Sequence, residues 1–176
     1  MKRLPAIFSI LLTAAALTAA ENNLVQNADF AVLKGRTAEH WANVGKLAIA
    51  FQAKDGVRPD CGKVTLTAAP EGDAAARTGS IRQKLTTVRP GQTVRITASF
   101  KADNFSASDY GVLIINRFWK GSVGIRRFNP PDGKWVKRSK VVTVPDGWSE
   151  LQLVFFAADA KGSLSLSDLT VEPAGN

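Results

Sequence analysis

Aromatic rings close to basic groups are the residues of this chain with the clearest capacity for recognition chemistry. A sugar ring presents patches of C–H groups, and a flat aromatic ring offers them an apolar surface with a negative face. Trp119 follows Arg117 by two residues, and within a strand that spacing puts both side chains on one side. Trp148 follows the turn sequence Asp146-Gly147, and Tyr110 opens the most apolar stretch. We interpret Trp119, Arg117, Trp148 and Tyr110 as ligand-binding residues, with closure of the core by Trp119 or Trp148 as the alternative.

Positive charge is concentrated in the same part of the chain. Between positions 117 and 140 there is one acidic residue, Asp132, and the formal net charge of the whole chain is +8. If the strands of this stretch are neighbours, their charges form one basic area that attracts anions and weakens with salt. The area predicts acidic polysaccharides or cell-surface glycans as partners; the alternative is a solvated face with no partner. The basic residues are Arg117, Lys120, Arg126, Arg127, Lys134, Lys137, Arg138 and Lys140.

The residue types that catalysis requires are sparse. The chain has one histidine, His40, and one cysteine, Cys61, and no Gly-x-Ser-x-Gly pattern. A serine or cysteine hydrolase needs a histidine beside its nucleophile, and a zinc site needs a cluster of ligands. A carboxylate pair for glycoside cleavage is spatial, so the sequence does not reveal it, but the acids are scattered and mostly lie in turns. We therefore expect a protein that is not an enzyme.

Short alternating segments separated by turns must position these side chains. Val94, Ile96, Ala98 and Phe100 alternate with polar residues, and Arg89-Pro90-Gly91-Gln92 suits a type II turn. The segment from Tyr110 to Trp119 carries large side chains on both faces, as a central strand does. About ten antiparallel strands and almost no helical periodicity predict an all-β, jelly-roll β-sandwich. The predicted strands begin at Leu24, Leu47, Lys63, Ser80, Val94, Tyr110, Ser122, Trp135, Leu151 and Ser163.

The N-terminus is typical of an exported protein. Lys2 and Arg3 precede an apolar stretch that ends in small residues at Ala20. This order predicts a signal peptide over residues 1–20 and one domain over 21–176, with an uncleaved anchor as the alternative. We expect a secreted or periplasmic protein with no membrane span after residue 20. Nucleic acid is a poorly placed partner in that compartment.

Four segments form an ordered pattern along the chain. Asn23 to Phe30 is followed by Trp41 and Gly45, and Ile81 to Leu85 is followed by Pro90 to Val94. A tryptophan-to-proline strand runs from Trp135 to Pro145, and a closing strand from Leu164 to Leu169. In this order the segments resemble carbohydrate-binding modules of families four and nine. The resemblance implies a galactose-binding-like jelly roll, non-catalytic polysaccharide binding and a structural calcium.

The implied calcium site lacks two carboxylates in this chain. Ala31 stands where the family pattern has a glutamate, and Ser167 replaces the first of two aspartates. Calcium prefers about six to eight oxygen ligands, with carboxylates among them. Asp168 remains as a weak candidate ligand, with a turn hydrogen bond as its alternative role. No other cofactor is expected.

Gln83 belongs to the middle segment of the resemblance. It shares strand parity with Ile81 and Leu85, so it either binds sugar at the edge of the sheet or satisfies backbone groups inside.

Three functions follow from these observations. The first is polysaccharide binding, the second an extracellular structural or adhesion domain, and the third a small polysaccharide-degrading jelly roll.

Overall fold

The fold consists of two antiparallel five-stranded sheets and one short hairpin. The computed structural model describes residues 22–71, 73–117 and 119–175. None of these residues belongs to a helix long and apolar enough to cross a membrane. The strands are β1 (Leu33–Lys34), β2 (Thr37–Ala38), β3 (Ala42–Gly45), β4 (Ala48–Gln52), β5 (Lys63–Thr67), β6 (Gly79–Lys84), β7 (Thr93–Ser106), β8 (Asp109–Ile115), β9 (Ser122–Arg126), β10 (Val136–Thr143), β11 (Gln152–Ala158) and β12 (Lys161–Pro173).

The two large sheets pack face to face as a jelly-roll sandwich. The first sheet has the strand order β10-β7-β12-β5-β4, and the second has the order β3-β6-β11-β8-β9. Strands β9 and β10 are therefore both edge strands, one in each sheet. The all-β sandwich predicted from the sequence is confirmed.

The core lies between the sheets and is formed by alternate residues of each strand. In β7, Val94, Ile96 and Phe100 are fully buried, as the alternation of this segment predicts. Phe155 of β11 meets Phe100 from the opposite sheet, with ring centroids 6.4 Å apart. Because side chains alternate along a strand, the residues next to these point away from the core, onto the outer faces of the sandwich.

The turn before β7 has the predicted geometry. The amide of Gln92 donates to the carbonyl of Arg89 at 3.1 Å, and Gly91 has a φ of 77°. Glycine reaches this left-handed backbone without steric cost, which is why a type II turn favours it. Among the differences from the prediction, Leu24–Val25 is not a strand, and the strand predicted to run from Tyr110 to Trp119 ends at Ile115.

Residues that carry the family resemblance fasten the N-terminal segment to the sandwich. The indole of Trp41 donates to the carbonyl of Asn27 at 3.2 Å, and its ring packs on buried Phe30. The amide side chain of Gln83 is 5% exposed and makes two 2.8 Å hydrogen bonds to the backbone of Gln26. Gln83 therefore has the internal role, and the expectation that it binds a ligand is corrected.

Candidate functional site

The outer face of the second sheet carries an apolar cluster that the sandwich core does not require. Leu113, Ile115, Val154 and Phe156 pack together there, separate from the main core. Each alternates with a core residue of its own strand, such as Ile114. All four are almost fully buried, so other groups must cover them. We call this surface, with Arg82 and Trp119, the aromatic face.

Trp119 covers part of this cluster and remains accessible itself. Its ring meets Phe156 edge to face, with centroids 5.7 Å apart, and the guanidinium carbon of Arg82 lies 5.2 Å from the ring centroid. Both contacts are attractive because the ring has a positive edge and a negative face. Burial also lowers the pKa of Arg82. Trp119 is 41% exposed, so it forms a supported aromatic surface that is open to solvent.

The segment that presents Trp119 is a turn, not a strand. Trp119 has a left-handed φ of 56°, which is an outlier for a bulky side chain. Asn116 holds the turn: its carbonyl accepts from the amide of Trp119 at 3.1 Å and its side chain from the amide of Lys120 at 2.9 Å. The prediction that Arg117 and Trp119 share one side of a strand is therefore wrong, because β8 ends at Ile115 and both residues follow it.

Arg117 lies within this turn, and Trp148 contacts Gly121, the residue that follows it. The Arg117 guanidinium binds the Glu150 carboxylate at 2.6 Å, so its charge is compensated. Trp148 is half-buried and packs against the core, and Gly121 lies directly against its indole, with no room for a Cβ. Trp148 thus supports the turn from beneath, as its core-closing alternative predicted.

The basic stretch is divided between the two sheets. Strands β8 and β9 pair in the second sheet and β10 belongs to the first, but β9 and β10 meet at the edge of the sandwich. Several of the charges are also paired. Arg126 binds Asp109 through bonds of 2.8 and 3.0 Å, and Arg127 binds the same carboxylate at 3.1 Å. The hydrogen bonds from Arg126 hold the pKa of Asp109 below its ordinary value.

Tyr110 is a core residue in the structure. It is 7% exposed, and its ring meets Phe105 and Phe128 edge-on. Its hydroxyl accepts a hydrogen bond from the amide of Asn129 at 2.9 Å. The expectation that Tyr110 offers an open ring to a ligand is corrected, because the core packing of the sandwich occupies that ring.

The residues around Asp168 do not fit a calcium ion. The two carboxylate oxygens of Asp168 contact Arg58 at 3.2 Å and Lys137 at 3.3 Å. The buried Ser167 hydroxyl donates to the carbonyl of Gly62 at 2.7 Å and accepts from the amide of Val57 at 3.1 Å. A carboxylate flanked by two cations and a small neutral hydroxyl are poor replacements for a set of anionic oxygens. Across residues 22–71, 73–117 and 119–175, no three Asp, Glu, His or Cys side chains gather as metal ligands.

Sequence reasoning missed Arg82 and Phe156. Both could have been placed on an outer face, because Ile81, Gln83 and Phe155 alternate with them and point inward. Nothing local indicates that a turn following β8 would bring Trp119 onto them.

Comparison with solved structures places this fold among known ones. The CBM22-1 xylan-binding domain of Paenibacillus barcinonensis Xyn10C matches with a TM-score of 0.59 and 19% identity, over 84% of this chain and 92% of that one. A structure described as "CBM4 structure and function" matches with a TM-score of 0.57 and 19% identity, over 85% and 99%. The fold is that of carbohydrate-binding modules.

Proteins with other activities share this jelly roll. A Stig cyclase, Fisc from Fischerella sp. TAU, matches with a TM-score of 0.60 and 9% identity, over 88% of this chain and 98% of that one. The enzymatically active domain of bacteriophage CBA120 tailspike protein 4 matches at 0.59 and 13% identity, but the chain spans only 21% of its length. No family model and no curated protein sequence matches the chain. At these identities the likeness shows the fold alone.

Proposed function

We propose that this protein is exported and binds polysaccharides without cleaving them, through the aromatic face. The observation that carries the proposal is the exposed Trp119 ring, held by a T-shaped contact with Phe156 and by the Arg82 guanidinium over the ring. A ring held in place loses little conformational freedom on binding, so more of the stacking energy appears as affinity. The jelly-roll neighbours that are carbohydrate-binding modules support the same function.

A left-handed tryptophan is costly, and its position supports a role in binding. Residues held in rarely populated backbone regions cost of order 1–3 kcal/mol each and cluster at binding sites. Glu150, which holds Arg117 next to this turn, is left-handed as well, with a φ of 51°. A bulky indole held in this conformation and exposed to solvent favours a recognition role for the turn.

The state of two nearby carboxyl groups supports binding without cleavage. A general acid for glycoside cleavage needs a raised pKa, so that it carries a proton near neutral pH. Asp109 has the opposite shift, because Arg126 and Arg127 stabilise its anion. Glu150 is committed to Arg117. Neither group has the properties of the acid in a hydrolytic pair.

The formal net charge of +8, of which Lys2 and Arg3 in the predicted signal peptide contribute two, supports a preference for acidic polysaccharides. Two arginines share one carboxylate at Asp109, which leaves an excess of positive charge beside the aromatic face. Long-range attraction by such a charge falls as salt rises, since the Debye length shrinks from about 10 Å at 0.1 M to about 3 Å at 1 M. Stacking on Trp119 should not change in this way.

The test is a binding titration of the purified protein with polygalacturonate, xylan and a neutral β-glucan at low and high salt. The proposal expects binding to polygalacturonate that weakens with salt, and no release of reducing ends. Absence of binding to every polymer would favour a structural or adhesion domain. Released oligosaccharides would show an enzyme.

Mass spectrometry of the exported protein should find an N-terminus near Glu21. Retention of residues 1–20 would contradict cleavage of a signal peptide.

A further inference from the structure

A cleft lies where the two sheets meet along one side of the sandwich. It has a volume of about 400 Å³, and edge strands β9 and β10 form its two sides. Clefts that bind small ligands usually have volumes of about 300–1,000 Å³, so this one could hold a single sugar unit. Its main lining residues are Leu113, Ser122, Arg126, Lys140, Val142 and Thr143.

The cleft has the mixed chemistry that a charged sugar requires. Ser122 carries a hydroxyl, and Leu113 and Val142 supply apolar surface. Of its two cations, Arg126 is held by Asp109. Lys140 is exposed, and within the described part of the chain no ion pair involves it. The ammonium of Lys140 is therefore the uncompensated charge of the cleft.

The position of Lys140 in β10 is unusual for a lysine. It shares strand parity with Val142, which is buried in the core, and its partner across the sheet is the core residue Ile96. A lysine on the inward side of a strand normally cannot stay hydrated. Because β10 is an edge strand, the side chain instead reaches the space beside β9. Inward charges on edge strands also prevent strand pairing between molecules, which is the alternative role for Lys140.

The cleft is continuous with the aromatic face. Leu113 lines the cleft and also belongs to the outer cluster with Phe156, the residue that supports Trp119. In the strand order β6-β11-β8-β9, Arg82 lies on the first of these strands and the cleft begins at the last. With neighbouring strands about 4.8 Å apart, these two strands are separated by about 14 Å. A polysaccharide lying across the strands would reach both.

We propose that the cleft between β9 and β10 is the subsite that recognises the acidic group of the polysaccharide, with Lys140 as the group that binds the carboxylate. The inference rests on the proposed function and adds to it the residue that sets specificity. Trp119 provides affinity for any sugar chain on the aromatic face, and Lys140 distinguishes acidic from neutral chains.

The experiment compares Lys140→Gln with Arg95→Gln, a matched loss of charge in β7 on the outer face of the first sheet. Each variant and the wild type are titrated with polygalacturonate and with the same polymer after methyl esterification of its carboxylates. Lys140→Gln should weaken binding to polygalacturonate about three- to fivefold at low salt, which is the size expected of a partly exposed ion pair. It should leave binding to the methyl ester unchanged, and Arg95→Gln should change neither.

Equal losses on both polymers, or no loss on either, would overturn the inference. Self-association of Lys140→Gln with unchanged affinity would overturn it too, and would assign Lys140 to protection of the edge. Failure of the proposed function looks different: the wild type would bind neither polymer. If the wild type binds and Trp119→Ala lowers affinity while Lys140→Gln does not, the proposed function stands and the acidic subsite fails.

Discussion

The outer faces of the two sheets have opposite chemistry, although both sheets have five strands and share one core. The outer face of the first sheet is rich in hydroxyls that pair across strands. Thr65 bonds Ser165 at 2.8 Å, Thr97 bonds Ser139 at 2.9 Å, and Thr93 bonds Thr143 at 3.0 Å. We call this surface the hydroxyl face. The outer face of the second sheet is the aromatic face, with four buried apolar residues.

The comparison of the two outer faces distinguishes residues that the fold requires from residues that it does not require. Polar side chains on the outer face of a sheet can satisfy one another across strands, as the pairs of the hydroxyl face do. Apolar residues there need a cover, and the turn that carries Trp119 contributes to it. Since the sandwich gains its core from the inner faces, an extra apolar cluster with a strained, exposed tryptophan is better explained by binding than by folding.

The largest expected effect compares two neighbouring phenylalanines of β11. Phe155 points into the core and Phe156 onto the aromatic face. Phe155→Ala should cost about 3–5 kcal/mol of unfolding free energy, because it leaves a cavity between the sheets. Phe156→Ala should cost less, but it should weaken polysaccharide binding because Trp119 loses its ring contact with Phe156. Denaturant unfolding and binding titrations measure the two effects; equal losses of stability with intact binding by Phe156→Ala would erase the distinction between the faces.

A middle-sized effect is expected at Ser167, on the hydroxyl side but buried beneath the segment that contains Val57. Ser167→Ala should lower the unfolding free energy by about 1–3 kcal/mol, because the amide of Val57 and the carbonyl of Gly62 lose their shared partner. Denaturant unfolding measures this loss.

A chelator should leave the melting temperature of the wild type unchanged. A marked drop on chelation, reversed by calcium, would show that oxygens other than those of a full carboxylate set bind the metal.

A pH-dependent effect is expected at Asp109, where β8 begins. Its pKa is lowered in the folded protein, mainly by hydrogen bonding from Arg126. Stability from this pairing is therefore present above the ordinary pKa of 3.8 and is lost as the pH falls through the lower folded value. Asp109→Asn should lower the melting temperature at pH 7 and approach the wild type in strong acid. A difference that persists unchanged at pH 2 would assign the loss to packing rather than to charge.

The smallest effect is expected on the hydroxyl face. Thr97→Val removes an exposed hydroxyl pair with Ser139 and keeps the β-branched shape. Its unfolding free energy should stay within about 0.5 kcal/mol of the wild type, as for most surface substitutions. Polysaccharide binding should also be unchanged. Loss of binding by this variant would show that the hydroxyl face takes part in recognition.

The sequence is most informative where structure is local. The alternation of Val94, Ile96 and Phe100 follows from the geometry of a strand, and the turn around Gly91 follows from the backbone freedom of glycine. Both appear in the structure as predicted. The paired bonds of Gln83 to Gln26 also agree with the internal role that its parity suggested.

The candidate site is less predictable because it depends on where strands end and which sheets they join. Periodicity continued the strand past Ile115, whereas the Asn116 side chain closes a turn there. The density of positive charge along the sequence assigned Arg126 and Lys140 to one basic area, but the topology places them in different sheets. Their meeting across the cleft is a consequence of sheet packing, and no local pattern records it.

The central claim is that binding belongs to the aromatic face, and two exposed side chains on opposite faces test it directly. Trp119 is 41% exposed on the aromatic face, and Val141 of β10 is 45% exposed on the hydroxyl face. Calorimetric titration of both alanine variants with one polysaccharide that the wild type binds, after melting curves confirm that each is folded, gives the answer. Trp119→Ala should lose affinity about tenfold or more, equivalent to about 1.4 kcal/mol, while Val141→Ala should match the wild type. Wild-type affinity in folded Trp119→Ala, or a comparable loss in Val141→Ala, would contradict the account.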